Sequence, residues 1–181
     1  KWAFINKLGH NIINKITINI GGNPIDTQYG EWMNIWWELT RSCSQDRGYN
    51  KMIGNTTEMT ELSTSDKSAT LFIPLQFWFC RNNGLALPLI ALQYHKITID
   101  LILKSLTECI IKEDKYNNSG SASTFSVTGS ISNASILVNY VYLDSDERKR
   151  FAQSTHEYLI EQIQNSGEEK AITSESSYNI N

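Results

Sequence analysis

The side chains that most often do chemistry are scattered in this sequence. His10, His95 and His156 lie far apart, and no two of them form a helical i, i+4 motif with a carboxylate. Isolated histidines of this kind more often occupy structural positions than ligate a metal or move protons, so no catalytic, metal or cofactor site is assigned. Cys43, Cys80 and Cys109 are odd in number and include no CxxC pair. Neither a disulfide framework nor a zinc site follows, and a reducing compartment such as the cytosol is the simpler reading. Asp144, Asp146 and Glu147 form an acidic cluster without the ligand spacing of a calcium loop. A helix cap explains them better, with Asp144 accepting from the first amides and Glu147 reaching back. Arg148-Lys149-Arg150 then reads as a solvated or salt-bridged helix face, and an interface contact is its functional reading. Asn55, Asn117 and Asn133 each head an N-x-Ser/Thr sequon. Asn55 and Asn117 are the candidate glycosylation sites, and Asn133 is the poorest because it borders a strand pattern; all three matter only if the chain meets a secretory pathway. Trp32, Trp36 and Trp37 could make a sugar-stacking platform. Trp32 and Trp36 share the helix face expected to be buried, however, while Trp37 lies off that face and is free to meet a neighbouring element.

Elements are needed to position any of these groups, and the composition supports them. The chain has 181 residues, 40% apolar and 19% charged, with 5 Trp, 8 Tyr and 6 Phe. That is enough for one domain with a real core and too aromatic for a disordered tail. A formal charge of -3 offers no general field for a polyanion, so nucleic acid is not an expected partner. No stretch approaches the roughly 20 apolar residues that cross a bilayer, since even residues 85–92 are short and contain Pro88. That run reads as a buried short helix. The opening Lys1-Trp2-Ala3-Phe4-Ile5 is neither an initiator Met nor a secretion signal, which implies a processed start or a fragment.

Period-two patterns dominate. Residues 12–20 place Ile16, Ile18 and Ile20 on one face of a strand that Gly21-Gly22-Asn23-Pro24 ends in a turn. Residues 94–103 alternate Ile97, Ile99, Leu101 and Leu103 with polar partners, and residues 131–143 align Ile136, Val138, Tyr140 and Tyr142. Residues 70–75, continued by Phe77-Trp78-Phe79, and residues 157–164 read as further strands. Helical spacing appears at 30–40, where Trp32, Ile35, Trp36 and Leu39 fall on one face, and briefly after Asp144 through Phe151. Residues 41–68 are a polar surface excursion, residues 117–123 a small-residue loop, and Asn165-Ser166-Gly167 opens a polar tail or linker. Strands without regular strand-helix alternation imply an all-β fold: an antiparallel β-sandwich of jelly-roll type with short helices in its loops.

Several blocks are distinctive together. They are Gly-His-Asn-Ile-Ile at 9–13, Ile-Gly-Gly at 20–22, Ile-Asp-Thr-Gln-Tyr-Gly-Glu-Trp-Met at 25–33, Trp-Glu-Leu-Thr at 37–40, Phe-Trp-Phe-Cys-Arg-Asn-Asn-Gly-Leu-Ala-Leu-Pro-Leu-Ile-Ala-Leu-Gln-Tyr-His at 77–95, and Tyr-Leu-Asp-Ser-Asp-Glu-Arg-Lys-Arg-Phe-Ala-Gln at 142–153. The series resembles the major capsid proteins of the nucleocytoplasmic large DNA viruses, and the long block at 77–95 is its most specific part. The resemblance spans residues 1 to about 164 apart from the stretches near 45–68 and 115–125.

Members of that family carry two jelly rolls in tandem, and three copies form a pseudo-hexagonal capsomer. The resemblance therefore implies that residues 1–164 are most of the first jelly roll, with its opening strands missing, and that 165–181 are a linker or the start of the second. It implies a structural protein of the virion, not an enzyme, assembled in the host cytoplasm into an icosahedral shell. The implied partners are two further copies in a homotrimer, neighbouring capsomers and minor capsid proteins. Direct nucleic-acid contact and membrane insertion are not implied, although an internal membrane can lie beneath such a shell. A carbohydrate-binding jelly-roll module is the alternative, and a cupin-type enzyme a distant third, because a compact His-containing metal motif is missing. A sandwich without its opening strands exposes unpaired edges and an uncovered face, so this piece is expected to fold stably only when other segments of the particle complete its sheets.

Overall fold

The computed structural model describes residues 1–113, the backbone of 115, 116, 122 and 123, and residues 126–165 and 167. Its elements in chain order are β1 (Trp2–Phe4), α1 (Leu8–Asn11), β2 (Ile13–Ile20), β3 (Asn23–Tyr29), α2 (Gly30–Thr40), α3 (Asp46–Met52), α4 (Thr57–Thr60), α5 (Trp78–Arg81), β4 (Ile97–Leu103), β5 (Ile110–Lys112), β6 (Lys115–Tyr116), β7 (Ala122–Ser123) and α6 (Ser145–Gln153). Short 3-10 turns occupy Asn83–Leu85 and Leu106–Cys109.

The main sheet has the order β3-β2-β4, antiparallel throughout, with β2 in the middle. Gly21 and Gly22 have φ of 61° and 85°, the two positive angles that a tight two-residue hairpin turn requires. The chain turns there, and Asn23 and Pro24 already belong to β3. Pro24 cannot donate to the ladder, and the register slips beside it, between Ile18 and Asn19, leaving Ile25 unopposed. On one face of β2, Ile16 and Ile18 are buried with Met33, Phe77 and Trp78. Ile97, Ile99 and Leu103 of β4 and Ile73, Leu75, Leu85 and Leu87 close around them. The opposite face is polar: Thr17 meets Thr27 at 3.0 Å, and Asn19 donates to Asp100 at 2.7 Å. A second cluster of Leu8, Met59 and Cys109 lies against Phe4, Ile12 and Leu71 near the two-stranded β1-β5 sheet.

Several sequence expectations change here. Helix α2 covers the residues expected of it, but its buried positions are Gly30, Met33 and Trp37. Of the expected inner face, Trp32 and Trp36 are half-buried, whereas Ile35 is 49% and Leu39 74% exposed. Apolar side chains cover more than half of the helix, opposite a stripe of Glu31, Asn34 and Glu38, so spacing alone could not say which part of that arc the sheet would take. Residues 41–68 are not simply a surface excursion: α3 and α4 form there and bury Tyr49, Ile53 and Met59. Residues 70–77 run extended without a ladder, and Trp78-Phe79 begins the single turn α5 in place of a strand. This segment buries Phe77 and Trp78 by packing across the sheet, so side-chain burial decides its path in the place of backbone pairing. The run at 85–92 is a series of turns, not a buried helix, and its Leu89 is 46% exposed.

Residues 131–143 and 157–164 also form no strand. The first has the alternation of a strand and no ladder partner among the described residues; Leu137 is 80% and Tyr142 91% exposed. The second lies along β3 through isolated contacts, with Ile163 N donating to Asp26 Oδ1 at 3.1 Å and Gln162 Nε2 to the Ile25 carbonyl. Two antiparallel sheets and a β6-β7 hairpin, with six helices, are thus the described architecture.

The inverted face of α2 can be tested by denaturant unfolding. Met33→Ala is expected to cost about 3 kcal/mol through lost burial and the cavity it leaves, whereas Leu39→Ala is expected to change stability by less than about 0.5 kcal/mol.

Candidate functional site

The groups singled out for chemistry remain apart. His10 is wholly buried on α1, where its Nε2 meets Tyr49 Oη at 2.7 Å. His95 lies beside the Gly21 turn. His156 Nε2 meets the Phe151 carbonyl at 2.6 Å, and its ring stacks on Phe151. Among the described residues no three His, Cys, Asp or Glu side chains converge as metal ligands. Cys43 and Cys80 are exposed and Cys109 is buried, all with free thiols; burial pushes the Cys109 thiol above its usual range. Asp144 caps α6 as read from the sequence, its Oδ1 accepting from Asp146 N at 3.1 Å and Glu147 N at 2.9 Å. The reciprocal bond expected of Glu147 is not formed. It occurs instead at Ser105 and Glu108, a capping box that sequence reading passed over. Arg148, Lys149 and Arg150 are exposed on α6.

Of the candidate glycosylation sites, Asn55 is half-buried at the joint between α1 and α3. Its Oδ1 accepts from Lys7 N at 3.1 Å, and its Nδ2, the atom a glycan would take, donates to Asn50 Oδ1 at 2.9 Å. Asn117 lies outside the described residues. The three tryptophans do not form one platform. Trp37 is buried, its ring stacked on Tyr49 at 3.6 Å and 7°. Trp32 and Trp36 are tilted 42° to one another, and the Arg81 guanidinium lies 4.0 Å above the Trp36 ring while pairing with Glu161. A cation already occupies the ring face that a sugar would need.

What the structure does assemble is a joint and two open surfaces. In the joint, α1, α2 and α3 meet around Trp37, Tyr49 and Ile53. Gly9 N donates to the Ile53 carbonyl at 2.8 Å. Gly30 is so close to α1 that a Cβ would sit 2.2 Å from the His10 carbonyl oxygen and 2.6 Å from that of Ile13. Over the joint runs a chain of charges: Lys7 pairs with Glu38, Glu38 with Arg41 at 3.1 Å, and Arg41 with Asp46 at 3.0 Å. Lys7 itself holds φ 53°, a left-handed angle uncommon for a side chain with a Cβ. The sequence does not mark the His10–Tyr49 contact, because the two residues lie 39 positions apart.

One open surface is the outer side of α2, with Ile35 and Leu39. The other is the extended segment carrying Ile131, Ile136, Leu137, Val138, Tyr140, Val141 and Tyr142, each more than half exposed. Its apolar residues occupy both faces of the alternation, the pattern of a strand covered on both sides. Apolar exposure on this scale calls for cover that the described residues do not supply.

Architecture and surfaces together define a β-sheet module with helices in its connections and open apolar surface, and comparison with known proteins gives its family. A family model described as the major capsid protein N-terminus matches residues 1–144. The chain is 42% identical over 196 residues to the major capsid protein of Phaeocystis pouchetii virus, covering 96% of this chain and 38% of that protein. It is 43% identical over 192 residues to capsid protein 1 of Acanthamoeba polyphaga mimivirus, covering 100% of this chain and 31% of that protein. A quasi-atomic model of the PBCV-1 virus capsid superposes with a TM-score of 0.61 at 30% identity, covering 89% of this chain and 36% of that one. The chain belongs to the major capsid protein N-terminus family, and it spans between 31% and 38% of the length of these relatives.

The close approach at the joint predicts opposite effects for two glycine substitutions. Gly30→Ala forces a side chain against two backbone carbonyls and is expected to cost at least about 2 kcal/mol. Gly48→Ala, in α3 with open space at its Cβ, is expected to stabilise by about 0.5–1 kcal/mol through helix propensity. Equilibrium unfolding of the two variants checks both signs.

Proposed function

We propose that the chain is most of the first jelly roll of a viral major capsid protein, and that it acts by self-assembly and carries out no catalysis. The observation that carries this reading is the segment at 131–142, which has the two-sided apolar alternation of an interior strand and stands exposed without a ladder. Strands laid along its edges would satisfy its backbone groups, and elements packed above and below the resulting sheet would cover its two faces. The apolar outer side of α2 poses the same demand on a helix. The relatives' names as capsid proteins support the same function.

In this reading residues 1–164 are the first jelly-roll sandwich, completed by opening strands contributed from elsewhere, and residues 165–181 lead toward a second one. Three copies make a pseudo-hexagonal capsomer, and capsomers pack with one another and with minor capsid proteins into an icosahedral shell in the host cytoplasm. The arm at 41–68 then faces outward or meets the next capsomer. An internal membrane would lie beneath the shell, without insertion of this chain; among the described residues no helix is long and apolar enough to cross one. Asn55 and Asn117 are the positions a glycan would take if the protein is modified.

The experiment is native mass measurement of the full coding sequence that carries this chain. A trimer is expected, and Val138→Asp, which places a charge in the exposed segment, is expected to lower its yield at least tenfold. A monomer that binds glycans on an array would contradict the proposal and return the carbohydrate-binding module.

A further inference from the structure

Among the described residues His10 is the most enclosed titratable group, and its surroundings are built for the neutral ring. It is wholly buried between α1, α2 and α3. Nε2 has Tyr49 Oη at 2.7 Å, and Nδ1 has no partner. Tyr49 cannot shift freely, because its other side is stacked on Trp37. The charged groups near the ring are Lys7, just before α1, and Glu38 on α2; α3 presents only the phenol of Tyr49 to it. Glu38 does not contact the imidazole: it is taken up by Lys7 and Arg41. A protonated ring would therefore hold a charge and a second N–H in a pocket that supplies neither a carboxylate contact nor an acceptor for Nδ1.

We propose that the His10–Tyr49–Trp37 joint is an acid-sensitive latch: protonation of His10 releases α3 and the arm at 41–55 from the body while the β3-β2-β4 sheet stays folded. The other polar ties between the arm and the rest of the chain are Gly9 N to the Ile53 carbonyl, Lys7 N to Asn55 Oδ1, the Glu38–Arg41 pair, and Phe72 N to the Met52 carbonyl at 2.9 Å. The first three cross the joint and the Phe72 bond holds the end of α3, so release of α3 breaks them together and the arm opens as one unit. The sheet shares none of these contacts, since its core is the separate cluster of Ile13, Ile16, Ile18, Met33, Phe77 and Trp78.

The direction follows from linkage. Burial first, and Lys7 second, push the closed-state pKa of His10 down to about 4, against a smaller upward pull from Glu38. Once the arm opens, the ring is hydrated and takes its proton near the ordinary value of about 6.5. The open state thus binds more protons between those values. The latch is fully closed above about pH 6.5, and its stability is lost as pH falls toward 4; at pH 5 the opening constant is about 30-fold larger than at pH 7.5.

Hydrogen exchange resolved by peptide, on the full-length protein in its native oligomeric state, tests this. After correction for intrinsic rates, amides of residues 46–53 are expected to lose about 30-fold of their protection between pH 7.5 and pH 5, with β2 and β4 unchanged. His10→Gln is expected to remove that pH dependence. Equal protection at both pH values, parallel loss in the strands, or an unaltered pH dependence in His10→Gln would each overturn the latch. Should His10→Gln not fold, the His10 ring proton shift in the parent protein decides: a midpoint below 5 supports the latch, and one near 6.5 overturns it.

Discussion

Strand β2 is bonded along both of its edges, so everything around it is fixed by how its two faces are covered. Ile16 and Ile18 need an apolar roof, and the chain supplies one by laying Met33 of α2 and residues 73–87 over the sheet. That roof explains why residues 70–79 give up their own strand ladder. Burying Phe77 and Trp78 is worth several kcal/mol of apolar area, whereas one more ladder at the periphery offers only modest net gain per hydrogen bond. Polar groups then pin the roof. Gln28 Nε2, buried on β3, donates to the Gln76 carbonyl at 2.9 Å and to Asp26 Oδ2 at 3.0 Å, and Asp26 Oδ1 receives Ile163 N. A hydrogen-bonded Asp–Gln pair in the sheet thus holds both the roof and the incoming residues near 163.

The same logic leaves other apolar surface uncovered. The inner side of α2 is spent on the sheet through Met33 and on Tyr49 through Trp37, so Ile35 and Leu39 face outward. Residues 131–142 carry more apolar exposure still. A protein that ended its associations here would leave that surface to water. In the proposed assembly, neighbouring strands and neighbouring copies would provide the missing cover.

Local signals in the sequence placed the local elements well. The alternation at 12–20 and 94–103, the helix at 30–40 and the Asp144 cap all appear where their residues put them, since pleat, helical period and capping act over a few positions. Partnership was not legible in the same way. Alternation at 131–143 shows that a segment wants two covered faces, yet it names no partner, and the described residues contain none. The buried face of α2 is ambiguous in the sequence, because Trp32, Ile35, Trp36 and Leu39 fit a helical stripe as well as Gly30, Met33 and Trp37 do. The joint of His10, Tyr49 and Trp37 was invisible for a different reason: its contacts join distant positions, and a lone histidine carries no mark of the phenol it will meet. The family, by contrast, is legible without any of these contacts, in blocks such as the long one at 77–95.

The central claim is that residues 131–142 are an interior strand whose partner is supplied by the larger protein. Cryo-electron microscopy of particles built from the full-length protein measures this directly. The account predicts that the backbone of these residues is paired in a β-sheet, with Ile136, Val138 and Tyr140 enclosed. Density showing the segment unpaired and facing solvent in the assembled shell would contradict it.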